Sequence, residues 1–256
     1  MSLIAKDAAL VLAGGGARGA YEVGVIMGVT QVLAPFSGGV APFKIFTGTS
    51  VGAINASFFA AHADQADLGA SALRDIWSSL DWSNQLGFSW SRALRLFRGG
   101  GGVETTSLAD ATALQEMIGE SIPWPRLRQM TRSGHLDALV VAALQIYSGQ
   151  TTLFAQLSDD VEFSPSRDPR RRLVETEIRA EHVLASSAIP FLFQPQRIDG
   201  RWYCDGSIRF NTPISPAIRC GADRLMVVGV RQSALAKVTD GVEPPPGLGT
   251  MLGKLL

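Results

Sequence analysis

Phe43-Lys44-Ile45-Phe46-Thr47-Gly48-Thr49-Ser50-Val51-Gly52-Ala53-Ile54-Asn55-Ala56 decides how this chain is read. Phe43 to Thr47 is rich in β-formers, and Val51 to Ala61 is an apolar run of helical length. Between them Gly48-Thr49-Ser50-Val51-Gly52 spells G-x-S-x-G, the tight strand-to-helix turn that lifts a serine clear of its neighbours. The flanking glycines allow the close backbone approach that a strained turn needs. A serine at a helix N-terminus also gains help from the helix dipole in stabilising developing negative charge. The structural alternative is an ordinary N-cap serine.

The same rhythm precedes this stretch. Ala8 to Ala13 reads as a short buried strand, Gly14 to Gly19 as a glycine turn, and Ala20 to Leu33 as a helix. In that helix Tyr21, Val25, Gly28, Val29 and Val32 recur at helical spacing. Strand, turn, helix, twice over, is the signature of a parallel α/β sheet. Ala66 to about Ser133 changes character, with four of the five tryptophans and a Gly99-Gly100-Gly101-Gly102 break, and reads as a helical insertion over the sheet. Beyond it, Leu136 to Ile146 is a strand with Thr151 to Ala155 as its hairpin partner. Glu177 to Ile189 is a helix that stops before Pro190. Gln196 to Cys204 is a hairpin turning at Asp199-Gly200, which places Asp205 just past a strand end. Pro213 to Cys220 suits a helix and Arg224 to Val230 a last core strand.

Composition narrows the function classes. The 256 residues are 46% hydrophobic and 18% charged, as expected of a well-buried globular chain. Lys+Arg and Asp+Glu both number 23, so nucleic acid has no electrostatic support as a partner. Neutrality does not exclude a lipid surface, because apolar contact can drive that association. Cys204 and Cys220 cannot build a disulfide framework and read as small core residues in a reducing compartment. The apolar run at Ala8–Ala13 is too short for a secretory signal, and a cytoplasmic location is expected. The apolar ending Gly253-Lys254-Leu255-Leu256 suggests a native protein that continues further.

Three groups of residues carry candidate chemistry. Gly14-Gly15-Gly16-Ala17-Arg18-Gly19 fits the dinucleotide pattern G-x-G-x-x-G, but Pro35 to Phe46 lacks the acidic residue that pattern expects. Its other reading is an oxyanion hole, built from consecutive backbone N–H groups at a helix N-terminus. Cys204-Asp205-Gly206-Ser207 offers a carboxylate near the serine turn, while Asp199 is explained by its turn and Asp223 by a solvated position. His62, His135 and His182 all precede Asp205, so the order Ser, acid, His fails. His62 lies about three helical turns beyond Ser50, out of reach. An aspartate working alone is a weak base, with an ordinary pKa of ~3.9, and must touch the serine hydroxyl directly.

These blocks together resemble the patatin-like phospholipases. The similarity rests on Gly14–Gly19, on Gly48–Gly52, on Ala185-Ser186-Ser187-Ala188-Ile189-Pro190, and on Asp205-Gly206-Ser207 followed by Asn211-Thr212-Pro213. Ser207 departs from the family's commonest third residue, but it is small. The resemblance implies a three-layer α/β/α sandwich with a mostly parallel central sheet and a helical insertion, in one domain over residues 1–256. It also implies a Ser50–Asp205 dyad, an oxyanion hole at Gly15, Gly16, Ala17 and Arg18, and hydrolysis of lipid acyl esters with no metal or organic cofactor. Acyl transfer to another lipid or alcohol is the alternative within the same chemistry, and a nucleotide-binding module the alternative outside it. Trp82 to Arg98, where Phe88, Trp90, Leu94 and Phe97 mix with Arg92, Arg95 and Arg98, is a candidate for peripheral membrane contact; the alternative is that the aromatics pack on the sheet and the arginines face water.

Overall fold

The computed structural model describes residues 8–79 and 112–230. A strand covered on both faces must be apolar at nearly every position. β1 (Ala8–Leu12) and β3 (Ala138–Gln145) meet that demand, and β2 (Ile45–Thr49) is equally buried but ends in Thr47, Gly48 and Thr49, whose threonine hydroxyls are hydrogen-bonded. They pair in parallel, Leu12 beside Gly48 and Thr49 beside Ala142, so their carboxyl ends open on one side. The sheet runs β5-β4-β3-β2-β1-β8, with β4 at Thr151–Leu157, β5 at Arg171–Glu175 and β8 at Arg224–Val228. β4 is antiparallel to β3, while β5 and β8 pair in parallel with β4 and β1. The hairpin of β6 (Gln196–Ile198) and β7 (Arg201–Asp205) extends the end of β3, Asp205 facing Ala143.

Helices α1 (Gly19–Ser37), α2 (Val51–Ala60) and α3 (Ala66–Ser79) cover one face. They are joined there by α4 (Thr112–Ser121), α5 (Trp124–Arg132) and α6 (Ala180–Ser187). Val23, Ile26, Phe58, Phe59, Leu73, Leu127 and Val183 meet Leu10, Leu12, Phe46, Leu139 and Val141 of the sheet. The opposite face is thinner among the described residues. There α7 (Ile214–Arg219), through Ala217, and Phe163 pack on Ala9, Val11, Ile45 and Val140. The result is a mixed, mainly parallel sheet between helices, as the strand–turn–helix rhythm implies.

Several boundaries differ from those read in the sequence. The first helix continues through Pro35 and ends at Gly38, whose φ of 63° suits glycine. β2 starts later than Phe43 and takes in Gly48 and Thr49, so the elbow follows the strand without a linker. The helix expected from Glu177 begins at Ala180, because the Ile178 N–H is drawn to the Gln156 side chain at 3.0 Å. β5 carries Arg171 and Arg172 and shows no clean alternation, which hides it in the sequence. Within the segment read as an insertion, 66–79 and 112–132 are helical, but Leu73, Ile118 and Leu127 belong to the main core. The stretch from Trp82 to Arg98 lies outside the described residues.

Two glycines offer a contrast that tests this packing. A Cβ at Gly48 would fall 2.3 Å from the Gly52 carbonyl oxygen, whereas a Cβ at Gly24 on α1 meets nothing within 4 Å. Gly48→Ala is expected to lose about 1–3 kcal/mol of unfolding free energy. Gly24→Ala should gain about 0.5–1 kcal/mol, because alanine is the better helix former. Chemical denaturation of both variants checks the pair, and equal effects would contradict the packing described.

Candidate active site

The serine turn is built from close approaches. A Cβ on Gly52 would stand 2.5 Å from the Leu12 carbonyl oxygen, so α2 starts directly against the end of β1. Ser50 takes φ 56° and ψ −127°, a backbone that L-residues rarely adopt. Such strain costs on the order of 1–3 kcal/mol and persists only where the surroundings hold it. Here they do. The Ser50 N–H donates to Ser186 Oγ at 2.9 Å, and the Ser186 hydroxyl donates to the Ala142 carbonyl at 2.7 Å. The Ser50 carbonyl accepts from the Ala53 and Ile54 N–H groups and so opens α2. Ser186 on α6 therefore ties the turn to β3, a role that no local pattern in the sequence announces.

Asp205 is the last residue of β7 rather than the first beyond it. Its N–H donates to the Ala188 carbonyl at 2.9 Å. Its carboxylate then spans two donors: Oδ2 accepts the Ser50 hydroxyl at 2.6 Å, and Oδ1 accepts the Ser207 N–H at 2.7 Å. A Cβ on Gly206 would meet the Ala142 carbonyl oxygen at 2.3 Å, so only glycine lets the chain pass here. Burial pushes the Asp205 carboxyl above the ordinary carboxylate range, and the hydrogen bonds from Ser50 and Ser207 offset part of that rise.

The histidines are engaged elsewhere. His62 Nδ1 is 2.8 Å from the Phe58 carbonyl oxygen, and His135 Nδ1 is 2.8 Å from Ser133 Oγ. His182 Nδ1 accepts the Arg179 N–H at 3.0 Å. Asp199 sits at the tip of the β6–β7 hairpin with φ 47°, and Asp223 is exposed ahead of β8.

The glycine loop lies against the same serine. A Cβ on Gly14 would come within 3.2 Å of Ser50 Cβ and 2.8 Å of Ser207 Cβ. The Gly14 N–H donates to the Asn211 carbonyl at 3.0 Å. Thr47 and Thr49 hold the following chain by donating to the Pro213 and Phe210 carbonyls at 2.8 and 3.0 Å. Gly16 has φ 55° and opens a single 3₁₀ turn. Among the described residues, the N–H groups of Gly15, Gly16 and Ala17 meet no protein acceptor. The Arg18 N–H differs, since it donates to the Gly15 carbonyl at 3.2 Å. The Arg18 side chain also bonds the Gly15 and Val230 carbonyls, both at 3.3 Å, so this residue braces the loop.

A family model described as patatin-like phospholipase matches residues 10–218. The chain belongs to the patatin-like phospholipase family. Among solved structures it is similar to VipD from Legionella pneumophila, with 19% sequence identity and a TM-score of 0.47. That likeness covers 82% of this chain and 47% of the other, so the chain spans about half of that relative's length. Comparison with the curated proteins finds no match. One described helix, Gly16–Ser37, is long and apolar enough to cross a membrane, and here it packs on the sheet through Val23 and Ile26.

This patatin-like chain carries a further buried group beside the loop. Glu22, on the first turn of α1, is fully buried. Its Oε2 accepts Asn55 Nδ2 at 2.8 Å, and its Oε1 has no partner. Burial raises its pKa from 4.5 to about 8, against smaller opposing effects of the Asn55 hydrogen bond and the Ala13 backbone. The sequence signal was present but unread: Glu22 is the one acidic residue in α1, and Asn55 stands out in apolar α2.

This carboxyl should leave a mark on stability. Between 4.5 and about 8 the folded chain keeps a proton that the unfolded chain has lost. Stability therefore falls as pH rises through that window, by up to ~1.4 kcal/mol per pH unit. Asp205, also raised, contributes with the same sign. In Glu22→Gln the decline between about pH 5 and pH 8 should flatten, leaving the slope that Asp205 supplies. Denaturant unfolding at three pH values checks this, and an unchanged slope would place the proton elsewhere.

Proposed function

We propose that this protein is a serine carboxylic-ester hydrolase of phospholipase A type, acting on lipid acyl esters through a Ser50–Asp205 dyad. The observation that carries the reading is the 2.6 Å hydrogen bond from Ser50 Oγ to Asp205 Oδ2, on a serine held at φ 56°. Asp205 takes the hydroxyl proton as Ser50 Oγ bonds to the ester carbonyl carbon, and the carbonyl π electrons move onto its oxygen. The free N–H groups of Gly15, Gly16 and Ala17 hold that oxyanion, each donor contributing on the order of 3 kcal/mol. Collapse expels the alkoxide, which leaves with the proton from Asp205. Water then gives a proton to Asp205 as it attacks the acyl-enzyme, and Ser50 departs with that proton. The chemistry needs no metal or organic cofactor.

Acyl transfer uses the same acyl-enzyme with an alcohol in place of water, and product analysis separates the two. A nucleotide-binding role for Gly14–Gly19 is disfavoured, because the loop packs against Ser50 and lacks the acidic partner. We read the chain as one acyl-hydrolase domain working from the cytoplasm at a lipid surface. The buried free thiols of Cys204 and Cys220 fit a reducing compartment. The segment from Trp82 to Arg98 remains our candidate for the lipid contact.

Ser50→Ala should abolish hydrolysis of p-nitrophenyl esters and phospholipids, and labelling by a fluorophosphonate, in a folded protein. Asp205→Asn should lose nearly as much, and the double variant little more, because residues acting as a unit are not additive. His62→Ala, His135→Ala and His182→Ala should keep most activity. A dead histidine variant that is folded would overturn the dyad. Asp205 must be ionised to accept the proton, so kcat/KM should rise with pH through a midpoint above the ordinary carboxylate value. A midpoint at or below ~4 would remove Asp205 as the base.

A further inference from the structure

We propose that Glu22, in its neutral form, is a positioning residue that clamps the glycine loop against the serine turn, so that ionising it releases the loop and switches off turnover at alkaline pH. The idea rests on the Ser50–Asp205 reading for its catalytic consequence, but the clamp itself stands on the geometry of four elements. Glu22 lies just past the glycine loop, and its carboxyl faces the Ala13 backbone, where β1 passes into that loop. Asn55, on the helix that Ser50 opens, reaches across with Nδ2 to Glu22 Oε2 at 2.8 Å and to the Gly19 carbonyl at 3.1 Å.

The orientation of Asn55 is fixed from the third helix, because its Oδ1 accepts the Trp77 indole N–H at 2.9 Å. Its amide must therefore present its donors to Glu22 and Gly19. Gly19 is wedged as well: a Cβ there would stand 2.3 Å from Val51 Cγ2 and 2.7 Å from the Trp77 ring. The Gly19 end of the loop that offers the Gly15, Gly16 and Ala17 amides is thus gripped by one buried carboxyl and one amide, while the Ala13 end is held by the Val228 carbonyl at 3.2 Å.

The grip suits a neutral acid. Oε1 has no partner, and the Asn55 amide supplies the one side-chain hydrogen bond. An ionised carboxylate left in that place is a buried, under-solvated charge, which the structure relieves only by opening toward water. Among the described residues no cation stands ready to meet it. α2 and β1 carry no charged residue, and Arg18 is spent on the Gly15 and Val230 carbonyls. On α3, Arg74 and Asp75 pair with each other in solvent, and Asp67 is exposed. With a pKa of about 8, the acid stays protonated at neutral pH and ionises just above it.

Three proteins test the proposal: wild type, Glu22→Gln and Glu22→Ala, each confirmed as folded at every pH used. Turnover of a short soluble p-nitrophenyl ester by wild type should fall about tenfold per pH unit above about 8. Glu22→Gln keeps the amide contact without the charge, so its turnover at neutral pH should remain within a fewfold of wild type and its alkaline fall should vanish. Glu22→Ala should lose about 10–100-fold in kcat with KM little changed, as for a misplaced oxyanion donor. Hydrogen exchange at the hydrogen-bonded amides of Gly14, Arg18 and Gly19, corrected for intrinsic base-catalysed exchange, gives a readout that needs no activity. Protection there should drop above about pH 8 in wild type and not in Glu22→Gln. An alkaline fall and a protection loss that persist unchanged in Glu22→Gln would overturn the clamp. If exchange behaves as expected while no variant hydrolyses esters, the hydrolase reading fails and the clamp stands.

Discussion

Everything at the candidate site depends on one close approach, the backbone of Gly52 against the Leu12 carbonyl, which brings the start of α2 onto the end of β1. A single Cβ at either Gly48 or Gly52 would force these elements apart. Because they touch, Ser50 is driven into a left-handed backbone, and its side chain faces Asp205 instead of the helix interior. The glycine loop, which leaves β1 immediately after Leu12, is carried to the same serine by the same contact.

The strain at Ser50 is held by a short relay of polar groups. Ser186 takes the Ser50 N–H and hands its own proton to the Ala142 carbonyl. The neighbouring Ala143 faces Asp205 across the strand pair, and the Gly206 backbone lies over the Ala142 carbonyl. Two adjacent residues of β3, Ala142 and Ala143, thus set the height of both the serine and the carboxylate. The short distance between them reflects sheet register, which a loop contact would not fix so tightly.

Two buried carboxyls flank the serine turn, and burial raises the pKa of both. Asp205 accepts from Ser50 Oγ and the Ser207 N–H, which favour its charged form against the cost of burial. Glu22 has one side-chain donor and an unpartnered oxygen, and burial dominates. What separates them is their donors: the Ser50 hydroxyl reaches Asp205, whereas Glu22 meets only the Asn55 side-chain amide.

The sequence by itself determined the alternation of strands and helices, because burial on both sides of a parallel sheet demands continuous apolar runs such as Leu139–Leu144. It also marked Ser50 and the glycine turns, since short-range backbone geometry is written in the residues that adopt it. Whether Asp205 reaches Ser50, 155 residues away in sequence, was not legible, because that distance depends on β7 pairing with β3. The roles of Ser186, Glu22 and Asn55 were hidden for the same reason. A polar side chain in an apolar helix reads as an oddity until packing supplies its partner. The tertiary structure alone shows that the Arg18 amide is spent within the loop while its three neighbours meet no acceptor among the described residues, because a 3₁₀ turn consumes the amide three residues past its first carbonyl.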